Sequence, residues 1–165
     1  MHPCKSPKKI GAHVIITSGS DVKLERAKDL GADHGINHRQ SDFVREINSL
    51  TENRGVDVVL DCVGEKCGRK AWRLWLVRPP SLVTCGATAG GQPNDDIAAI
   101  VSKHLKIYSS TLGSREEFRR LMSFMAVKQI KPIVDSVFPL REAAAAQQHL
   151  EAGKQFGKIV LQIAA

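Results

Sequence analysis

The sequence predicts an α/β protein: a parallel sheet with helices flanking it. Three observations carry that reading. The first is the run Val56-Asp57-Val58-Val59-Leu60-Asp61-Cys62-Val63-Gly64, short, β-branched and almost without a polar face. Such a run reads as a strand buried on both sides, as strands are inside a parallel sheet. The second is an alternation of strand-like and helix-like segments along the chain, the order that parallel sheets with right-handed crossovers produce. The third is that glycines and capping residues fall at the ends of those segments. In open sheets of this type ligands lie beyond the carboxyl ends of the strands. Residues 61–64 are therefore the first place to look for a site.

In chain order, residues 13–17 (HVIIT) form a strand, broken by Ser18-Gly19-Ser20, and Ser20 can cap the next helix. That helix carries Leu24, Ala27 and Leu30 on one face and stops at Gly31, a glycine suited to the left-handed position after a helix. Gly35-Ile36-Asn37 is a very short strand. Ser41 can cap a second helix with Phe43, Ile47 and Leu50 on one stripe, and Asn53-Arg54-Gly55 closes it. After the central strand, residues 69–76 read as a weakly patterned helix ended by Pro79-Pro80. Residues 81–85 are a strand and residues 86–91 a glycine-rich loop at its carboxyl end. Residues 97–105 are helical and 106–111 a further strand. Ser114 and Glu117 form a capping box ahead of Phe118, Leu121, Met122 and Met125, the clearest amphipathic helix in the chain. The methionines there are read as core filler. Residues 133–138 are extended with prolines at both ends, the mark of an edge strand or a domain crossing. An alanine-rich helix over 141–152 ends at Gly153, and residues 156–163 form a last strand.

At 165 residues the chain suits one domain, and 42% hydrophobic with 25% charged residues is ordinary for a globular protein. No apolar run approaches a membrane span, and no apolar segment follows the basic N-terminus, so neither a membrane nor a secretory signal is expected. The net charge of +7 is spread over scattered lysines and arginines, with no basic stripe interleaved with aromatics. Nucleic acid is therefore not the expected partner; an anionic cofactor suits the charge equally well. Cys4, Cys62, Cys67 and Cys85 show no metal-finger spacing, so zinc is not expected to be bound by this chain. Free cysteines suit a reducing compartment, and the expected location is cytoplasmic.

Five ordered segments carry a resemblance to a known family. They are Gly11-Ala-His-Val-Ile-Ile-Thr17, Ala27-Lys-Asp-Leu-Gly-Ala-Asp-His34, Gly55-Val-Asp-Val-Val-Leu-Asp-Cys-Val-Gly64, Val83-Thr-Cys-Gly-Ala87 and His149-Leu-Glu-Ala-Gly-Lys-Gln-Phe-Gly-Lys-Ile-Val160. Together they resemble the C-terminal half of the medium-chain dehydrogenase/reductase superfamily, the zinc-type alcohol dehydrogenase and quinone reductase group. The resemblance implies a Rossmann-like parallel sheet that is incomplete, because the family's first strand and its glycine-rich pyrophosphate loop have no counterpart here. The GroES-like catalytic domain of the family has none either. The implied organisation is a basic N-terminal segment over 1–10, a partial cofactor-binding domain over 11–131, and a segment over 132–165 that in relatives returns to the catalytic domain. Without a central strand the sheet is expected to have a gap, to rearrange, or to borrow a strand, since unpaired buried edges are costly.

The resemblance also implies a dinucleotide cofactor and places it. Where NAD-preferring relatives carry an Asp for the ribose 2′-hydroxyl, this chain has Ser18, with Lys23 one turn on; a small neutral residue beside a cation suits a 2′-phosphate, so NADP(H) is expected over NAD. A solvated helix start explains the same residues. His38 stands where relatives often have a Tyr beside the adenosine phosphate, although an exposed loop histidine is an equal reading. Cys62, Val63 and Gly64 resemble the segment passing the adenine and the nicotinamide ribose. Gly86 and Ala87 resemble the backbone contact on the nicotinamide side, and Thr111, Leu112 and Gly113 the segment beside the carboxamide. Gly157 and Lys158 resemble a further element near the cofactor. For the glycines, turn geometry alone is an equal explanation. Arg78-Pro79-Pro80 departs from the family, which usually has a glycine-rich turn there. No catalytic constellation is present, and the hydride chemistry of such enzymes belongs to the cofactor.

The expectation is thus the cofactor-binding part of an NADP(H)-dependent oxidoreductase, not active alone, with a possible homodimer through the strand near Ile107 to Thr111. Two alternatives stand beside it. One is a non-catalytic interaction module or truncated relic that self-associates through sheet edges. The weaker one is a Rossmann-like methyltransferase, disfavoured by the missing glycine-rich loop.

Overall fold

The computed structural model describes residues 10–64, 81–88, 90, 97–102 and 104–163. The helix expected over 69–76, the turn at 78–80 and most of the N-terminal segment lie outside the described residues. The chain divides into two compact units, one of Met1–Gly35 with Glu116–Ala165, the other of Ile36–Arg115.

The first unit opens with strand β1 (Ile15–Ser18) and helix α1 (Asp21–Asp29). Ser20 is the N-cap residue, yet its side chain makes no cap; its backbone N–H instead donates to Ser18 Oγ at 3.3 Å. The helix stops as the sequence indicates. Gly31 takes φ +99°, Gly31 N–H donates to the Lys28 carbonyl at 2.8 Å, and Ala32 N–H reaches back to Ala27 at 3.0 Å. These are the paired bonds of a Schellman stop, which need a residue at ease in the left-handed region. Strand β2 (His34–Asn37) pairs with β1, and within it the chain passes from one unit to the other.

The same unit resumes with α4 (Arg115–Val127), β6 (Val134–Pro139), a 3-10 turn (Leu140–Glu142), α5 (Ala143–Glu151) and β7 (Lys158–Gln162). Residues 133–138 were open between an edge strand and a crossing; β6 pairs in parallel with β7, with a register shift between Val134 and Ser136. The core of this unit joins distant parts of the chain. Ala27, Ala32 and Phe156 are buried together, with Val14, Ile16, Leu30 and Ile133 packed on them. Burying a side chain such as Phe156 contributes about 1.5–3 kcal/mol.

The second unit continues with α2 (Phe43–Leu50), β3 (Val58–Asp61), β4 (Ser81–Thr84), α3 (Ile97–Ser102) and β5 (Lys106–Ser109). The cap of α2 is Asp42 rather than Ser41. Its carboxylate accepts the Val44 N–H at 3.0 Å, while the Ser41 hydroxyl donates to the Asn37 carbonyl at 3.2 Å. Phe43 and Ile47 are buried as the helical stripe requires. Strands β3, β4 and β5 form a parallel sheet in that order, aligned Leu60 with Val83 with Tyr108.

That alignment corrects one expectation. The central run is not buried on both sides: Val58 is 60% and Leu60 53% exposed, whereas Asp61 and Leu82, on the opposite face, are buried. Valine occupies both faces of the run, so its hydropathy does not distinguish a strand covered on one side from a strand covered on two. The strands fall into three separate ladders among the described residues. β1 with β2 is one and β3–β5 another, and β7 is occupied by β6.

Candidate functional site

Eight of the residues expected at a site gather in two places, one in each unit. In the first unit, Ser18, Lys23 and Gly157 line a small open hollow of about 210 Å³ at the carboxyl end of β1. Ile16, Leu24 and Phe156 give it an apolar part, and among the described residues no acidic side chain lines it. Ligand pockets run to about 300–1,000 Å³, so this hollow is too small to enclose a whole dinucleotide. Lys23 crosses the chain to donate its ammonium to the Gly153 carbonyl at 2.6 Å. The Gln155 Oε1 atom is buried and has no hydrogen-bond partner among the described residues. An orphaned buried acceptor of this kind calls for a donor from a ligand or water. Lys158 follows at the start of β7, its side chain exposed and its N–H on the Ile133 carbonyl at 2.8 Å.

The loop that closes the hollow is held by Asp135. Its Oδ1 accepts the Phe156 N–H at 2.8 Å and its Oδ2 lies 3.2 Å from His149 Nε2. The Phe156 N–H bond, then the His149 bond, hold the Asp135 carboxyl below its ordinary range. Arg26 stacks its guanidinium 4.4 Å from the centre of the Phe156 ring. Gly157 has φ +122°, and a Cβ there would lie 2.6 Å from the Ile133 carbonyl oxygen. Close packing therefore already accounts for the glycine.

In the second unit, the ends of β3 and β4 bring Cys62, Val63 and Gly64 against Gly86 and Ala87. Asp61 organises the turn. Its buried carboxylate accepts the Val63 N–H at 2.9 Å and the Gly64 N–H at 3.3 Å, so it is a strand-end anchor and not a base. Gly64 takes φ +86°, and a Cβ there would lie 2.4 Å from the Gly90 carbonyl oxygen and 3.0 Å from Ala87 Cα. The Thr88 hydroxyl donates to the Cys62 carbonyl at 3.3 Å. Burial, then Cys85 and then Asp61, push the Cys62 thiol up. Thr111, Leu112 and Gly113 follow the carboxyl end of β5, which runs parallel to β4, and are exposed. His38, just past β2, is also exposed. Among the described residues no group of three or more His, Cys, Asp or Glu is placed to hold a metal, and no helix is long and apolar enough to cross a membrane.

Sequence reasoning missed Asp135, His149, Gln155 and Phe156. Lys23 and Gly153 are 130 positions apart, and no local pattern signals such a contact.

Comparison with known proteins gives a consistent picture. The family model described as zinc-binding dehydrogenase matches residues 30–161. A zinc-type alcohol dehydrogenase-like protein of Schizosaccharomyces pombe is 32% identical, over 93% of this chain and 45% of its own length. The crystal structure of an NAD-dependent alcohol dehydrogenase is 33% identical with a TM-score of 0.88, covering 98% of this chain and 47% of that one. A mycobacterial protein solved in complex with NADPH is 27% identical with a TM-score of 0.79, covering 95% and 52%. The chain spans about half the length of the curated relatives it matches.

Proposed function

Because the chain belongs to the zinc-binding dehydrogenase family, we propose that it is the cofactor-binding part of an oxidoreductase that uses NADP(H) to move a hydride to or from a carbonyl, an alcohol or an activated alkene. The observation that carries the NADP(H) preference is the lining of the hollow at the end of β1: an ammonium from Lys23, a hydroxyl from Ser18 and, among the described residues, no carboxylate. A reader of an unmodified ribose 2′-hydroxyl supplies an acidic acceptor, whereas a 2′-phosphate is met by a cation and neutral donors. Lys23 exchanges the neutral Gly153 carbonyl for the phosphate, which is the stronger partner for an ammonium. The Gln155 oxygen accepts from a ribose hydroxyl.

The cofactor supplies the hydride chemistry when bound. The chain's own residues position it. The Val63 and Gly64 N–H groups are held in place by Asp61, and Gly64 packs on Ala87 without a side chain between them. Thr111, Leu112 and Gly113 offer backbone groups at the carboxyl end of β5. Self-association through β5 belongs to the same proposal: β5 is a terminal strand of its sheet among the described residues, and Ile107 and Tyr108 on it are 45% and 51% exposed. Size-exclusion mass of the chain with Tyr108→Lys tests that part.

The main test is a tryptophan-fluorescence titration of the purified chain with NADPH and with NADH. NADPH is expected to bind more tightly. Lys23→Ala is expected to weaken NADPH about tenfold, the effect of roughly 1.4 kcal/mol, and to leave NADH unchanged. Equal affinity for the two nucleotides, or an unaffected Lys23→Ala variant, would remove the NADP(H) reading.

A further inference from the structure

The carboxyl ends of β3 and β4 carry a second piece of chemistry. The ladder aligns Asp61 with Thr84, so the next aligned pair is Cys62 with Cys85. The pairing runs on through this position. Cys85 N–H donates to the Asp61 carbonyl at 2.9 Å, and a Cβ built on Gly86 would lie 3.7 Å from Cys62 Cα. Aligned residues of neighbouring strands point to the same face. Cys62 therefore shares the open face with Val58 and Leu60, and Cys85 shares it with Val83. Both are free thiols and both are exposed. The Cys85 thiol lies 3.7 Å from the Asp61 carbonyl oxygen, leaning toward the strand that carries Cys62.

We propose that Cys62 and Cys85 form a reversible dithiol site that a hydroperoxide closes to a disulfide within the chain. Neighbouring strands stand about 4.8 Å apart, inside the roughly 4.4–6.8 Å between Cα atoms that a disulfide spans. The Cβ separation a disulfide needs is shorter than side-by-side strands give, so closure draws the strand ends together. A bond made under that constraint and open to solvent is readily reduced, the mark of a labile rather than a structural disulfide. One thiolate attacks the peroxide oxygen, the O–O bond breaks, and a sulfenic acid forms with release of the alcohol or water. The second sulfur then displaces the sulfenic hydroxyl, which leaves as water with the remaining proton, and the S–S bond closes. Two thiols lose two electrons and two protons, and the hydroperoxide takes up both. This inference stands apart from the cofactor reading and does not need it.

The test uses the full chain with Cys4→Ser and Cys67→Ser, so that only the two thiols remain, treated with stoichiometric hydrogen peroxide. The expected result is loss of both titratable thiols and of the mass of one hydrogen molecule per chain, reversed by dithiothreitol, with the species monomeric on a non-reducing gel. Cys62→Ser in the same background should abolish the cross-link. Peptide mapping of the oxidised wild-type chain gives the same answer if the doubly substituted chain folds poorly: a peptide containing Cys62 joined to one containing Cys85. Sulfinic acids at both positions, cross-links only between chains, or Cys62 joined to Cys4 or Cys67 would each overturn the proposal.

Discussion

Removing the Asp135 carboxylate should loosen the loop that closes the hollow, and the size of the effect follows from its bonds. In Asp135→Ala, the Phe156 N–H, paired at 2.8 Å in the native chain, loses its partner beside a buried ring. Leaving such a donor unsatisfied costs about 1–3 kcal/mol. The His149 contact at 3.2 Å involves a side chain 34% exposed and adds at most about 1 kcal/mol, and Arg26 at 4.0 Å adds little because it is half exposed. The sum is about 1–4 kcal/mol. For a protein of this size that lowers the melting temperature by about 2–16 °C. Asp135→Asn keeps an acceptor for the Phe156 N–H and loses only the charge, so its shift should be less than half as large. Circular dichroism melts of the two variants and the wild type read the difference directly. Equal melting temperatures for all three, or a larger loss for Asn than for Ala, would refute the assignment of Asp135 as the loop's anchor.

Further outcomes follow from the same geometry. Because the folded state holds the Asp135 carboxyl below its ordinary range, its stabilisation is fully present above the unfolded value of about 3.9 and is lost as pH falls through the folded value. The gap in stability between wild type and Asp135→Asn should therefore narrow below about pH 4 in denaturant titrations. Gly157→Ala places a Cβ against the Ile133 carbonyl and holds Ala at positive φ, a cost of about 2–4 kcal/mol that a urea melt would register. Asp61→Ala frees the Val63 and Gly64 N–H groups; NADPH affinity should fall severalfold while the Lys23 effect persists. Cys62, with its thiol pushed up, should alkylate with iodoacetamide more slowly than free cysteine near neutral pH and catch up as pH rises.

Much of the fold is legible in the sequence because its elements are set by local chemistry. The Leu24, Ala27 and Leu30 stripe, the glycine stop at Gly31 and the β-branched runs at 58–61 and 81–84 needed no partner to be recognised. Where two residues could serve one role, local chemistry did not decide: Ser41 and Asp42 both suit an N-cap, and the carboxylate took it because Ser41 was drawn back to Asn37. Burial of Val58 and Leu60 depends on what covers the sheet, which no pattern within the strand contains. At the site, Ser18, Lys23 and Gly157 were drawn from separate segments and stand round one hollow. Asp135 carried no signal, and His149 and Gln155 stood in a quoted segment without a role, for the opposite reason. Their importance comes from contacts with residues far along the chain, and an aspartate before a serine in an edge strand looks like any solvated one.

The first unit is assembled from two separated segments, and Phe156 must reach back to Ala27 and Ala32 to complete its interior. The second unit is one continuous stretch, Ile36–Arg115. During synthesis the ribosome therefore releases the middle of the chain able to make its own long-range contacts, while the apolar face that Ala27 and Ala32 share waits for Ile133 and Phe156 to emerge. Pauses in translation between residues 36 and 156 lengthen that wait, and an open apolar helix is what chaperones bind and aggregates recruit. Codon choice over this interval should thus bear on the yield of soluble protein more than codon choice before it.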